Sequence, residues 1–115
     1  MKVVFYSNAS GKSPVLENIN ELGKEDQARL FGCLRNIEEL GLYSPRVEFR
    51  QIEGKLLEIR LQSGGYRVFY VTLKKDIMVL LHAFKKQSQK TPVKIIKTAM
   101  KRLKEVIENE TDYLK

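Results

Sequence analysis

KLLEIRLQSGGYRVFYVTLKKDIMVLLHAF, residues 55–84, contains three strand-like runs that are separated by short polar turns. In the first run, Leu57, Ile59 and Leu61 alternate with polar residues, which is the period of a strand with one buried face. The last run is apolar at every position from Ile77 to Leu81, and this predicts a strand that is covered on both sides. Because such short connections join only antiparallel neighbours, the stretch predicts a β-meander.

The residues before the meander predict a short strand and two helices. The strand is VVFY at 3–6, and Ser13 followed by Pro14 is typical of a helix start. We expect this helix to run to about Leu22. A second helix should end at Gly41, because apolar residues recur at helical spacing before it: Leu30, Leu34, Ile37 and Leu40. The pair predicts an α-hairpin that packs on one face of the sheet.

One more strand, residues 47–52, is the first strand of the meander, and Thr91-Pro92 opens a final helix that should end at about Asn109. The core-facing residues predicted for this helix are Val93, Ile96, Met100, Leu103 and Ile107. The chain therefore predicts one α+β domain, residues 1–115. An antiparallel sheet made of the N-terminal strand and the meander should carry the α-hairpin and a basic C-terminal helix.

Charge is the strongest compositional signal. The chain has 115 residues, a net charge of +7 and a sequence pI near 9.6, which favours a polyanionic partner. Lysine and arginine are concentrated between Ile77 and Lys104, where no acidic residue occurs. No apolar run approaches the roughly 20 residues that span a bilayer, and the N-terminal apolar stretch is too short for a signal peptide. We therefore expect a cytoplasmic protein without membrane partners.

Several kinds of site are disfavoured. Gly64-Gly65 lies in a hairpin turn without a following helix, so no phosphate-binding loop is predicted. The single cysteine, Cys33, and the single histidine, His82, do not make a typical metal site, and no cofactor is expected. Cys33 is predicted in a different layer from His82, which disfavours a nucleophilic pair.

Cationic residues are predicted to gather at one end of the meander. Arg60 and Arg67 flank the turn at residues 62–65. His82 and Lys85 end the last strand, which returns to this turn, and two further lysines follow in the loop: Lys86 and Lys90. Each of these residues also has a structural explanation without any function. A lone histidine is often a hydrogen-bonded core residue, and strand arginines or helix lysines are often solvated. Together they would repel one another unless an anion were bound, and the predicted ligand is a phosphodiester.

Such a cluster suits RNA cleavage by transesterification. The 2′-hydroxyl of the RNA attacks the adjacent phosphorus, and cations stabilise the charge that builds on the phosphate oxygens. A lysine or His82 could transfer protons. Because the nucleophile belongs to the substrate, DNA would not be cleaved.

Three motifs occur in a recognisable order: LLEIR at 56–60, GYRVFY at 65–70, and LLHAFKKQSQKTP at 80–92 before a helix that contains AMKRL. In this order they resemble the RelE/HigB toxin superfamily, and most of all its phage-derived Gp49-like branch. The resemblance implies a small sheet covered by helices. It also implies ribosome-dependent cleavage of mRNA in the ribosomal A site by a metal-free mechanism.

The resemblance also implies roles for individual residues. Arg67 matches the arginine that holds the scissile phosphate, and Arg60 matches the arginine of the preceding strand. The remaining candidates for phosphate contact and proton transfer are His82, Lys85, Lys86 and Lys90. Further RNA contacts are expected from Lys55, Tyr66, Phe84 and Lys94. Two positions depart from the family: Ile96 lies near the place of a base-stacking tyrosine, and Ile95 replaces a common glutamate. Base stacking would then fall to Tyr66, Tyr70 or Phe84, or be missing.

The implied partners are a cognate helix-turn-helix antitoxin, the ribosome with its mRNA, and operator DNA through the antitoxin alone. Two other functions stay open at this point. The first is a catalytically degenerate module that binds antitoxin and nucleic acid. The second is an autonomous ribonuclease or DNA-binding protein.

Overall fold

The computed structural model describes residues 1–62, 64–86 and 91–114. The strands are β1 (Lys2–Phe5), β2 (Val47–Glu53), β3 (Leu56–Leu61), β4 (Tyr66–Leu73) and β5 (Ile77–Lys85). The helices are α1 (Pro14–Asn20), α2 (Lys24–Leu40) and α3 (Val93–Glu108), with 3-10 turns at Gly41–Tyr43 and Glu110–Tyr113. Within these ranges, no helix has both the length and the apolar character needed to cross a membrane.

The strands form one sheet in the order β1-β5-β4-β3-β2. Strands β2 to β5 are the predicted antiparallel meander, and the α+β architecture is confirmed. The N-terminal strand differs from the prediction, because β1 runs parallel to β5 and makes the sheet mixed. Parallel pairing needs a long crossover, and the chain between β1 and β5 contains the α-hairpin and three strands.

The ends of the first two helices follow the predicted signals. Ser13 caps α1, since its side-chain oxygen accepts a hydrogen bond from the backbone N–H of Leu16 at 3.3 Å, and Pro14 is the first helical residue. Gly41 ends α2 with a positive φ of 60°, a conformation that glycine adopts without a steric penalty. Local sequence therefore determines where the α-hairpin begins and ends.

The two faces of the sheet carry different helices. On one face, Tyr66 of β4 donates a hydrogen bond to Asp26 of α2 at 3.0 Å. On the other, Arg102 of α3 contacts His82 of β5. We call these the hairpin face and the α3 face. Because helices cover both, residues 77–81 of β5 are all buried, as the unbroken apolar run predicted.

The buried side of α3 is rotated relative to the prediction. Its buried residues are Ala99, Leu103 and Val106. Val93, predicted to face the core, is 66% exposed, whereas Ile96, Met100 and Ile107 are partly buried against the core. The periodicity identified an apolar stripe but not the line along which α3 contacts the sheet.

Candidate functional site

Two cross-strand rows of side chains lie on the α3 face, near the turn between β3 and β4. One row consists of Arg60, Arg67 and Phe84 on β3, β4 and β5. The next consists of Glu58, Phe69 and His82 on the same strands. Directly opposite residues in an antiparallel sheet have Cβ atoms about 5 Å apart. The two arginines therefore leave the sheet side by side, and we call Arg60 and Arg67 the arginine pair.

A buried carboxylate holds one member of this pair. Arg60 donates from Nε to Oε1 of Glu58 at 2.7 Å, and the Glu58 side chain is only 1% exposed. Glu58 lies two residues before Arg60, so both project from the same face of β3. The carboxylate fixes the orientation of the Arg60 guanidinium and balances much of its charge.

Arg67 is in a different state, although it lies directly opposite Arg60. Its Nε is buried and has no hydrogen-bond partner among the described residues. A buried donor without a partner costs about 1–3 kcal/mol, and more when it is charged. An anion at the arginine pair would supply the missing acceptor once the Arg67 side chain turned to expose Nε, which is closed to solvent in this structure.

His82 is held by an arginine from the helix above it. Arg102 donates from Nη1 to the backbone carbonyl of Leu81 at 2.8 Å, and the same nitrogen lies 3.1 Å from Nδ1 of His82. Because a guanidinium has no acceptor, Nδ1 must carry the lone pair of this contact. The proton of a neutral His82 is therefore on Nε2.

His82 is uncharged near neutral pH. Burial, and secondarily the charge of Arg102, lower the pKa of His82 to about 4. The imidazole therefore adds no positive charge to the arginine pair at pH 7. It offers one N–H donor instead, from Nε2.

Among the aromatic residues considered for base stacking, Phe84 has the most available ring. It is only partly buried and stacks on His82 with ring centroids 5.9 Å apart and an interplanar angle of 21°. Tyr66 and Tyr70 are 6% and 3% exposed, respectively. A base could contact Phe84 without any rearrangement of the core.

Lys85 and Tyr66 lie on the hairpin face, away from the arginine pair. They are cross-strand partners, and the Lys85 Nζ atom lies 5.7 Å from the centre of the Tyr66 ring. The Tyr66 hydroxyl is bonded to Asp26 of α2. The expectation that the predicted cationic groups surround one concavity is therefore wrong for Lys85. Alternation along β5 separates Lys85 from His82, because the two positions differ by an odd number.

The other predicted lysines are distributed around the sheet. Lys86 donates its backbone N–H to Gly65 at 2.9 Å, so it lies beside the β3–β4 turn at the same end as Arg67. Lys55 is exposed in the β2–β3 turn, at the opposite end of β3 from Arg60. Lys94 is exposed in the first turn of α3, and Lys90 lies outside the described residues.

Arg102 was not singled out from the sequence, although a signal was present. It lies three residues after Ala99 and four before Val106, both buried, so it occupies the core side of an amphipathic helix. A charged residue there needs buried partners. Its guanidinium carbon lies 5.4 Å from the centre of the Tyr6 ring, and the Tyr6 hydroxyl donates a hydrogen bond to Glu105.

The acidic residues, Cys33 and His82 are the groups that could form a metal site or a nucleophilic pair. In the described ranges, no group of three or more His, Cys, Asp or Glu residues is arranged to hold a metal ion. Cys33 lies on α2, a different layer from the α3 contact of His82, and burial raises the pKa of its thiol to about 11. It is therefore a protonated, structural cysteine and makes no pair with His82.

Comparisons with known proteins agree with this architecture. A family model described as "Phage derived protein Gp49-like" matches residues 17–104. The fold is similar to one chain of the crystal structure of an archaeal RelE–RelB complex from Pyrococcus horikoshii OT3, with a TM-score of 0.53 and 20% identity. The alignment covers 77% of this chain and 97% of that one. A search of curated proteins found no match.

Proposed function

The chain belongs to the phage-derived Gp49-like family and has a RelE-type fold, and from this we propose that it is the toxin of a type II toxin–antitoxin pair. In this role it is an endoribonuclease that cleaves mRNA in the A site of the ribosome, in the cytoplasm. Its basic surface, with a net charge of +7, suits the dense phosphate of that environment.

One observation carries the proposal. The buried Nε of Arg67 has no hydrogen-bond partner in the part of the chain that the structure describes, beside an Arg60 that Glu58 already orients. A fold gains nothing from an unsatisfied cationic donor unless a ligand completes it. Guanidinium groups match the geometry of phosphate oxygens, so the scissile phosphodiester is the ligand we assign to the arginine pair.

In the proposed reaction the substrate supplies the nucleophile. The 2′-oxygen forms a bond to phosphorus while the bond to the 5′-oxygen breaks. A base takes the 2′-hydroxyl proton, and an acid delivers a proton to the departing 5′-oxygen. The products are a 2′,3′-cyclic phosphate and a 5′-hydroxyl, and no water is consumed. Arg67 stabilises the charge on the non-bridging oxygens, which is commonly among the largest catalytic contributions.

Proton transfer is assigned to lysines rather than to His82. Nδ1 of His82 already accepts from Arg102, and the ring is neutral at pH 7, so it is a poor base and a poor acid there. Lys86 lies at the correct end of the sheet, and Lys90 follows it in the sequence. His82 acts as a hydrogen-bond donor, while Phe84, and Lys94 on α3, contact neighbouring nucleotides.

The antitoxin partner is proposed from the fold comparison. The similar structure is a RelE–RelB complex, in which two proteins are assembled. By analogy, this chain would bind a cognate antitoxin of the helix-turn-helix class and contact operator DNA only through it.

A second candidate has support of its own. Arg60 is paired with a buried carboxylate, His82 is neutral, and Lys85 faces the α-hairpin. Half of the six residues proposed as catalytic are therefore paired, uncharged or turned away. This favours a degenerate module that binds antitoxin and RNA without cleavage.

Expression in bacteria without an antitoxin separates these functions. The toxin should arrest growth and produce mRNA fragments with 5′-hydroxyl ends, in a translating extract but not with naked RNA. Cleavage of naked RNA would indicate an autonomous ribonuclease. Harmless expression with intact mRNA would leave the degenerate module.

A further inference from the structure

We propose that Arg102 is a positioning residue that fixes His82 as the neutral tautomer with its proton on Nε2. The inference starts from two contacts of a single nitrogen. Nη1 of Arg102 lies 2.8 Å from the Leu81 carbonyl and 3.1 Å from Nδ1 of His82. This nitrogen carries two hydrogens, so it can donate both bonds at once. The carbonyl anchors the guanidinium to β5, and the second hydrogen selects the protonation state of the ring.

Two residues, Tyr6 and Glu105, hold the guanidinium of Arg102 in place. Tyr6, which follows β1, places its ring 5.4 Å from the Arg102 guanidinium carbon, within the range of a cation–π contact. Glu105 lies one turn further along α3 and accepts a hydrogen bond from the Tyr6 hydroxyl. Arg102 therefore connects α3, the residue after β1, and β5 at one point.

The protonation states along this chain of contacts are mutually consistent. Burial and the bond to Glu105 raise the pKa of Tyr6 to about 12, so Tyr6 keeps its proton and donates to the carboxylate. Burial lowers the pKa of Arg102, whereas Tyr6 and Glu105 raise it, and a guanidinium stays protonated in proteins. The positive charge is thus next to Nδ1 of His82, where a second proton would be repelled.

The role that we propose for His82 belongs to its Nε2 atom, on the side of the imidazole away from Arg102. Nδ1 and Nε2 lie on different sides of an imidazole, and Phe84 stacks on its face. Nε2 makes no hydrogen bond to any residue in the described ranges. With Glu58 and Phe69 in its own cross-strand row and the arginine pair in the next, His82 presents a neutral N–H donor beside the site assigned to phosphate. This role rests on the proposed function, but the tautomer does not.

A spectroscopic experiment tests the inference without any activity measurement. The chain has one histidine, so a long-range ¹H–¹⁵N correlation spectrum of ¹⁵N-labelled protein reports His82 alone. At pH 7 we expect the Nε2–H pattern with Nδ1 unprotonated. Arg102→Met should lower the preference for this tautomer about tenfold or more, because a charge-assisted hydrogen bond is lost. Arg102→Lys keeps the charge and should restore part of the preference.

Lys101→Met is the matched control, since it removes the same charge from an exposed neighbouring position of α3. It should leave the spectrum of His82 unchanged. A wild-type spectrum with the proton on Nδ1, or with a charged ring at pH 7, would overturn the inference. If Arg102→Met does not fold, Arg102→Lys decides the question: a weaker preference for the Nε2–H tautomer than in wild type supports the inference, and an unchanged tautomer ratio contradicts it.

Growth arrest by the same variants separates this role from the proposed function. Weaker arrest by Arg102→Met than by Lys101→Met supports positioning, whereas equal arrest with an altered tautomer contradicts it. A wild-type chain that is harmless contradicts the proposed function, while its spectrum still decides the tautomer.

Discussion

The two faces of the sheet carry similar polar and cationic residues but differ in whether these residues have partners. On the hairpin face, the Tyr66 hydroxyl is bonded to Asp26, and the Lys85 ammonium lies over the Tyr66 ring. On the α3 face, Arg67 has a buried donor that finds no partner among residues 1–62, 64–86 and 91–114. Arg67 follows Tyr66 directly in the sequence, so one step along a strand separates a satisfied contact from an unsatisfied one.

This difference shows where to look for a ligand. A fold can hold many cations, and most of them are solvated or paired. The informative ones are buried, charged and incompletely bonded, because their cost must be offset by binding. The following predictions test the contrast between the two faces, in order of decreasing effect.

The largest effect is expected on activity at Arg67. Arg67→Ala should lower RNA cleavage at least about 100-fold, the loss that typically follows removal of a transition-state donor. The free energy of unfolding should fall little or even rise, because an unsatisfied buried donor disappears. Single-turnover cleavage and urea unfolding measure the two quantities. Lys85→Ala on the hairpin face is the matched control, and equal losses in both variants would refute the assignment of separate roles.

A smaller but still large effect is expected on stability at Glu58. Glu58→Ala removes the buried partner of Arg60 and should lower the free energy of unfolding by about 3 kcal/mol. Asp26→Ala on the hairpin face removes a partly exposed carboxylate and should cost about 1 kcal/mol. Urea denaturation at pH 7 provides the comparison. A larger loss for Asp26→Ala would mean that the Arg60–Glu58 pair contributes little to the α3 face.

The pH dependence of stability should reveal His82. Its pKa is lowered in the folded state from 6.5 to about 4, so between these values the unfolded chain binds more protons. The contribution of neutral His82 is therefore complete above about pH 6.5 and declines as the pH falls toward 4. His82→Gln should lose this part of the pH dependence. Urea midpoints of both proteins at pH 7 and pH 4.5 measure it, and identical slopes would contradict a buried neutral ring.

The smallest effect is expected at Tyr66. Tyr66→Phe removes one hydroxyl, which is bonded to Asp26 at 3.0 Å, and should lower the free energy of unfolding by about 1 kcal/mol. RNA cleavage should remain within about twofold of wild type, because the hydroxyl lies on the other face from the arginine pair. A strong loss of cleavage with unchanged stability would place RNA on the hairpin face.

The sequence predicted the elements of this fold well, because their signals are local. Ser13-Pro14 and Gly41 set the ends of the α-hairpin, and the short turns require the antiparallel meander. The parallel pairing of β1 could not be predicted, since no local signal specifies which sheet edge a distant strand joins. The rotation of α3, which exposes Val93, depends on helix-to-sheet packing in the same way.

The candidate site was predictable in part. The turn between Arg60 and Arg67 places them opposite each other, and the structure has this pairing. The prediction for Lys85 rested on its position along the chain, whereas its side-chain direction follows from alternation, because it lies three residues after His82. The irregularity between Phe69 and Tyr70, which no sequence pattern indicated, falls before His82 and does not change this relation. Arg102 is separated from His82 by 20 residues, so only the packing of α3 brings them together.

The binding of phosphate by the arginine pair can be observed directly at the Nε–H of Arg67. A short RNA analogue with a 2′-deoxy group at the scissile position should bind without cleavage. Titration of this analogue into ¹⁵N-labelled protein should shift the Arg67 Nε–H signal and leave the Lys85 and Tyr66 signals on the hairpin face nearly unchanged. Saturating shifts at Lys85 and Tyr66 with a stationary Arg67 signal would contradict the account.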